Sequence, residues 1–305
     1  MAAFARFAPC WVDVQLPDLE AGKRFYGELF GWTFRAGGGA YADALSGGKL
    51  VAALAAKQDG RMPTAWGVYF GTDDIATTVA RIREAGGTVI TEPVPAGSAG
   101  IVAQAADPGG AVFGLWQAGD REGFQKQNEP ASFCWTEVYT RQKDRVDTFY
   151  EEVFGFQGTD LYVSGEPGTV ADRDTVDRGS AGNDSAAPDS PDRGPAGPGT
   201  AGPGVGESGP GFRMWSPAGT EPGPDTAIGG RAVLTDAFPA VMPSHFLSYF
   251  AVEDCNTTAG HAVRLGGRIT APPFDIPHGR MAVLQDDQGA VFAVLQPPVS
   301  EKRPE

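Results

Sequence analysis

Cysteine, histidine and basic charge are all scarce in this chain, and each shortage closes off a kind of chemistry. Only Cys10, Cys134 and Cys255 occur in 305 residues. They are too few and too scattered for a disulfide framework, no two form a CxxC pair, and the thiols should be reduced. The three histidines (His245, His261, His278) all fall in the second half, leaving the first with none. Against 38 acidic residues stand 24 basic ones, a net charge of −14. Phosphate binding needs a basic face, and no Lys/Arg cluster supplies one, so nucleic acid is not an expected partner. No apolar run approaches the roughly 20 residues needed to span a bilayer, and membrane partners are not expected either. The opening "MAAFARFAPCWVDV" lacks a basic region followed by an apolar stretch, so a cytoplasmic location is expected. There is no Ser-His-Asp set, P-loop or GxGxxG in a strand-to-helix setting. "GGG" at Gly37 to Gly39 is a loop signal, and no cofactor is expected.

What is present is repetition. "CWVDVQLPDLEAGKRFYGELFGW" (Cys10 to Trp32) returns as "CWTEVYTRQKDRVDTFYEEVFGF" (Cys134 to Phe156), at an offset of 124. "YFGTDDIATTVARIREAGG" (Tyr69 to Gly87) returns as "YFAVEDCNTTAGHAVRLGG" (Tyr249 to Gly267), at an offset of 180. "DPGGAVFGLWQ" from Asp107 corresponds to "DDQGAVFAVLQ" from Asp286. Fixed self-similarity of this kind marks duplicated structural units. The difference between the offsets places an insertion in the second half. Residues Ser164 to Pro210 contain no Leu, Ile, Phe, Trp or Tyr, and carry eight acidic residues against three arginines. A segment so poor in apolar area is expected to be a disordered, self-repelling acidic insert rich in Pro and Gly. Two lobes are therefore expected, 1–120 and 130–299, with the insert 164–210 inside the second.

Each lobe divides again. Val12, Val14 and Leu16 alternate with Trp11, Asp13 and Gln15, which predicts a half-buried strand. Asp18 then sits as N-cap to a helix whose stripe is Phe25 and Leu29, flanked by Tyr26 and Phe30, and Gly31 follows at the C′ position. Ile75, Val79 and Ile82 give a second helix its stripe. The fold expected is α+β, four βαβββ modules in two pseudo-repeated lobes.

The strand-Asp-helix with "RFYGELFGW", the "DD" helix ending in "AGG", and the "DPGG" turn before a closing strand resemble the vicinal oxygen chelate superfamily. That group includes glyoxalase I, extradiol dioxygenases, fosfomycin-resistance enzymes and bleomycin-binding proteins. The resemblance implies glyoxalase-like lobes in which paired modules curl into a cup. In the family's enzymes the cup holds a divalent metal on His and carboxylate side chains. Here the family's ligand positions fall on Trp11, Gly67 and Gly114 in the first lobe and on Trp135, Leu247 and Ala293 in the second. None of these side chains can ligate a metal. A non-standard site of His245, His278 and Glu137 is the metal-binding alternative.

With Trp11 at a cup-facing position, Asp13 and Gln15 share its face, as Glu137 and Tyr139 share that of Trp135. Tyr69, Tyr249 and Trp116 are expected on the same walls. Such a lining suits a flat, partly aromatic ligand. Asp13 and Glu137 are the candidate catalytic residues, as bases with raised pKa. The leading expectation is a metal-independent binding protein for a small aromatic or amphipathic metabolite, in antibiotic sequestration or resistance or as an accessory in natural-product biosynthesis. Two others are a hydroxylase-, lyase- or isomerase-like enzyme, metal-free through Asp13 or Glu137 or using the non-standard metal site, and a non-catalytic scaffold. A chain with four modules needs no partner copy to complete its cups, so a monomer or weak homodimer is expected.

Overall fold

The computed structural model of the protein describes residues 6–37, 41–161 and 211–298. The first lobe runs β1 (Pro9–Leu16), α1 (Leu19–Phe30), β2 (Thr33–Ala36), β3 (Tyr41–Ser46), β4 (Lys49–Ala56), β5 (Trp66–Gly71), α2 (Ile75–Glu84), β6 (Thr88–Pro95), β7 (Gly100–Ala106) and β8 (Val112–Ala118). The second repeats it as β9 (Ser132–Thr140), α3 (Lys143–Phe154), β10 (Gln157–Leu161), β11 (Phe212–Ser216), β12 (Gly229–Val233), β13 (His245–Ala251), α4 (Cys255–Arg264), β14 (Arg268–Ile276), β15 (Gly279–Gln285) and β16 (Val291–Gln296). These are the four expected βαβββ modules. Each pair builds one eight-stranded mixed sheet, β2-β3-β4-β1-β5-β8-β7-β6 and β10-β11-β12-β9-β13-β16-β15-β14. The first strands of the two modules pair antiparallel at the centre of each sheet. The expected insert, Ser164 to Pro210, lies outside the described residues, as do Gly38 and Gly39. It joins β10 to β11 between Leu161 and Phe212, which are paired across the ladder.

Local signals account for the helices. The Asp18 carboxylate accepts from the Ala21 N–H, Asp74 and Asp254 accept from Thr77 and Thr257, and Gly31 and Gly155 close α1 and α3 at φ 69° and 70°. Long-range packing decides where the helices go. Phe30 of α1 meets Phe250 and Phe292 of the second lobe at 5.4 and 6.0 Å between ring centroids, and Phe154 of α3 meets Phe70 of the first at 5.3 Å. Two reciprocal hydrogen bonds fasten this exchange. The Tyr26 hydroxyl donates to Asp286 at 2.8 Å, and the Tyr150 hydroxyl donates to Asp107 at 3.2 Å. The same two aspartates hold their own turns, accepting from the N–H groups of Ala290 and Ala111. "DPGG" and "DDQG" are therefore both turn formers and clasps between lobes, and the lobes share one aromatic interior.

One strand departs from its expected character. β1 is buried on both faces apart from Gln15. Val12 and Val14 face the shared interior, while the Trp11 side is covered by the segment that follows β8. Alternation in a strand says which residues share a face, not what will later be laid over it.

Candidate functional site

In the first cup, register places Trp11 opposite Tyr69, Asp13 opposite Gly67, and Tyr69 opposite Gly114. The Tyr69 hydroxyl donates to Asp13 Oδ2 at 3.0 Å, and the Tyr41 hydroxyl reaches the same oxygen at 3.4 Å. The Trp11 Nε1–H donates to Tyr41 at 3.0 Å. Arg121 lies over the Trp11 ring, 5.2 Å from its centroid, and donates to both Asp43 oxygens at 2.7 and 2.9 Å. Arg35 adds a third bond to Asp43 at 3.0 Å. Phe124 packs 5.6 Å from Trp11, and the Trp116 Nε1–H holds the Arg121 carbonyl at 2.9 Å. Trp11, Asp13, Tyr69 and Trp116 are each at most 9 % exposed. The chain has closed this cup with its own linker, so these residues act on one another.

The second cup keeps the plan, and among the described residues it has no counterpart of the Arg121 and Phe124 cover. Trp135 stands opposite Tyr249, which stands opposite Ala293. The Trp135 Nε1–H donates directly to Glu137 Oε1 at 3.0 Å, and the Tyr249 hydroxyl donates to Oε2 at 2.7 Å. His245 stacks on Tyr139 with centroids 5.3 Å apart and rings 9° from parallel. Trp135 and Glu137 are only half-buried. This wall belongs to a hydrophobic cluster of its own, edged by the partly buried Phe212, Phe238, Met242 and Phe274.

Register explains the difference residue by residue. In the first sheet Asp13 aligns through Ala53 with Asp43 and then Arg35. In the second, Glu137 aligns through Gly230 with Met214 and then Thr159. Likewise Gln15 aligns through Ala55 with Tyr41, and Tyr139 through Ala232 with Phe212. The charged cover of the first cup thus becomes Met214 and Thr159 in the second, and the Tyr41 hydroxyl is lost to Phe212. The longer glutamate reaches Trp135 itself. Gln15 remains the half-buried outer member of the first face.

Burial disfavours charge on both carboxyls. It pushes Asp13 from 3.8 up to about 6, with hydrogen bonds from Tyr69 and Tyr41 pulling the other way. Burial also raises Glu137, against the bonds from Tyr249, Trp135 and Tyr139. His245 is held below its ordinary value, chiefly by burial, and its Nδ1 lies 2.9 Å from the Pro243 carbonyl. For Asp13 the folded state holds the proton more tightly than the unfolded chain does. Its stabilising contribution is complete below about pH 4 and is lost as pH rises through about 6, in all about 3 kcal/mol. Urea unfolding should therefore show Asp13→Asn gaining on the wild type by about that amount between about pH 4 and pH 8. A gap that does not change with pH would refute the assignment.

The family's metal does not fit these cups. At Gly114 an added Cβ would lie 2.0 Å from Tyr69 Cδ1, so the phenol ring fills the space a carboxylate ligand would need. Trp11 and Trp135 offer only indole N–H donors, both already used. Cys10 and Cys134, beside them in sequence, point their thiols at the Tyr69 and Tyr249 carbonyls, and burial pushes both up to about 12. The non-standard alternative also fails. His245, His278 and Glu137 do not come together, and no group of three or more His, Cys, Asp or Glu residues suited to a metal occurs among the described residues. His278 is exposed between β14 and β15, while His245 is spent on Tyr139 and Pro243.

Sequence reasoning passed over Tyr41, Arg121, Phe124 and the buried pair Arg231–Asp147. Arg121 and Phe124 lie in the linker, where no periodicity operates. Tyr41 was discoverable, since it opens the strand that pairs with the one beside Asp13. No helix among the described residues is long and apolar enough to cross a membrane.

Two halves with one plan, a cup in each and clasping helices define a glyoxalase-type tandem. The model of the Glyoxalase/Bleomycin resistance protein/Dioxygenase superfamily matches residues 9–115 and 133–294, and the chain belongs to that superfamily. Among its relatives, "Putative glyoxylase CFP32" of Mycobacterium tuberculosis is 33% identical over 298 residues, covering 95% of this chain and 94% of its own. "Anthracycline biosynthesis protein DnrV" of Streptomyces peucetius is 32% identical over 314 residues, covering 97% of this chain and 95% of its own. Among solved structures, the Mn(II)-bound glyoxalase from Novosphingobium aromaticivorans aligns at TM-score 0.57 and 15% identity, over 96% of this chain and 83% of that one. The 2,3-dioxygenase LapB from Pseudomonas sp. KL28 aligns at 0.56 and 14%, over 98% and 97%. At such identities these structures speak for the fold alone.

Proposed function

We propose that this protein binds a flat aromatic metabolite in its second cup, as an accessory in the biosynthesis of an aromatic natural product. The observation that carries this reading is the contrast between the cups. Trp135, Tyr139 and Tyr249 surround a half-buried carboxylate beside partly buried apolar side chains, while the equivalent wall of the first lobe is covered by Arg121 and Phe124. Aromatic walls with few polar groups suit planar ligands. The biosynthetic setting draws on DnrV and on "Anthracycline biosynthesis protein DauV" of Streptomyces sp. (strain C5), 32% identical over 314 residues. Tryptophan fluorescence should be quenched on titration with a hydroxylated anthraquinone such as alizarin. Trp135→Ala should weaken binding about tenfold or more, the scale of losing one aromatic wall, whereas Trp11→Phe should leave it unchanged. Equal affinity in Trp135→Ala, or no binding at all, would overturn the reading.

A second reading, proton abstraction by Glu137, is favoured by its raised pKa and the Tyr249 hydroxyl 2.7 Å away. The two readings part in heavy water. A ligand that is only bound is recovered without deuterium, whereas one deprotonated at carbon gains it.

A further inference from the structure

The duplication lets one lobe show what the other is missing. In the first cup the indole of Trp11 lies under a cation, the Arg121 guanidinium, 5.2 Å from the ring centroid, and Asp43 anchors that cation at 2.7 Å. In the second cup the same indole position is kept as Trp135, but Met214 stands in register where Asp43 stood. The carboxyl of Glu137 remains, with Trp135, Tyr249 and Tyr139 as hydrogen-bond donors and no ion pair to a cation among the described residues. Arginines of the second sheet have other partners. Arg213 and Arg231 pair with Asp147 of α3, and Arg280 pairs with Asp275. His245 is held towards its neutral form. A carboxyl group half-sunk among aromatic faces, with no cation paired to it among the described residues, is electrostatically complementary to an organic cation when ionised. Ring faces attract it through their quadrupole, and the carboxylate through its charge.

We infer that the second cup selects an aromatic ligand bearing an organic cation, an ammonium or amidinium group, set beside the Glu137 carboxylate and over the face of the Trp135 indole. This rests on the reading of the second cup as the ligand site and narrows its ligand class.

The test uses the full chain and three tricyclic probes of one shape at about pH 8: 9-aminoacridine as cation, acridine as neutral ring and anthracene-9-carboxylate as anion. Binding is followed by calorimetry or tryptophan quenching. The cation should bind at least about tenfold more tightly than the neutral ring, and the anion weakest, on the scale of one ion pair with cation–π contact. Glu137→Gln should bring the cation and the neutral ring to within about threefold of each other. If wild-type protein binds cation and neutral ring alike, the inference falls while the aromatic site stands. If it prefers the cation but Glu137→Gln keeps that preference, the assignment to Glu137 falls. If none of the probes binds, the site reading falls and takes the inference with it. The wild-type comparison needs no variant, so poor folding of Glu137→Gln would not protect the proposal.

Discussion

Asp147→Leu should destabilise the protein by about 3–5 kcal/mol, the usual cost of removing the carboxylate from a buried ion pair. Arg231 is 1 % exposed, and its Nε and Nη2 donate to the two Asp147 oxygens at 3.0 and 2.8 Å. Arg213 reaches the same carboxylate at 3.2 Å but also has Glu151 and Asp160. The substitution therefore takes two bonds from Arg231, whose Nη1 still donates to the Gly211 carbonyl at 3.4 Å, and one from Arg213. Combining it with Arg231→Met should recover most of the loss, because apolar side chains of similar volume can replace a buried pair at little cost. Urea unfolding of both variants measures this. A loss below about 1 kcal/mol in the single variant would mean water or relaxation reaches the guanidinium. The pair matters to the cup as well, since Arg231 adjoins Gly230, the residue in register with Glu137.

Restoring the family's carboxylate is the second large effect. Gly114→Glu should cost at least about 3 kcal/mol from overpacking and a lost buried hydrogen bond, and should not create a metal site. The new Cβ would lie 2.0 Å from Tyr69 Cδ1 and 2.3 Å from Cε1, across the β5–β8 ladder where Tyr69 and Gly114 are in register. The ring would have to leave, and its hydroxyl would release Asp13. A double-mutant cycle of Gly114→Ala with Tyr69→Ala should accordingly be far from additive, the pair being less damaging than the sum. Additivity would show that the ring is not what excludes the side chain. Calorimetry with Mn(II) or Fe(II) would detect any metal affinity gained.

Much of the architecture was readable in the residues, because duplication writes each element twice. Asp18, Gly31 and the Phe25/Leu29 stripe specify α1 locally, and Cys134 to Phe156 repeats the stripe and the closing glycine, though Gln142 stands where Asp18 caps and makes no cap bond. Less legible was what the stripe packs against. Phe30 meets Phe250 and Phe292 across the lobe boundary, and a stripe encodes burial without naming a partner. β2, four residues long and largely exposed, has no alternation to betray it. For the site, the cup-facing set Trp11, Asp13, Tyr69, Trp135, Glu137 and Tyr249 follows from strand parity. The closure of one cup does not. It depends on a linker arginine meeting an aspartate 78 positions earlier, and a single sequence holds no period for such a meeting.

The reciprocal clasps, Tyr26 to Asp286 and Tyr150 to Asp107, have a consequence for how such a protein can change. In an assembly of two identical chains every substitution is made in both cups at once, so a cup cannot be sealed without sealing its twin. Here the symmetric partner is part of the same polypeptide, and each copy mutates alone. Tyr41 in one half can therefore differ from its counterpart Phe212 in the other, and Asp43 from its counterpart Met214. Fusion thus relieved a constraint of symmetry, leaving each half free to line its cup in its own way.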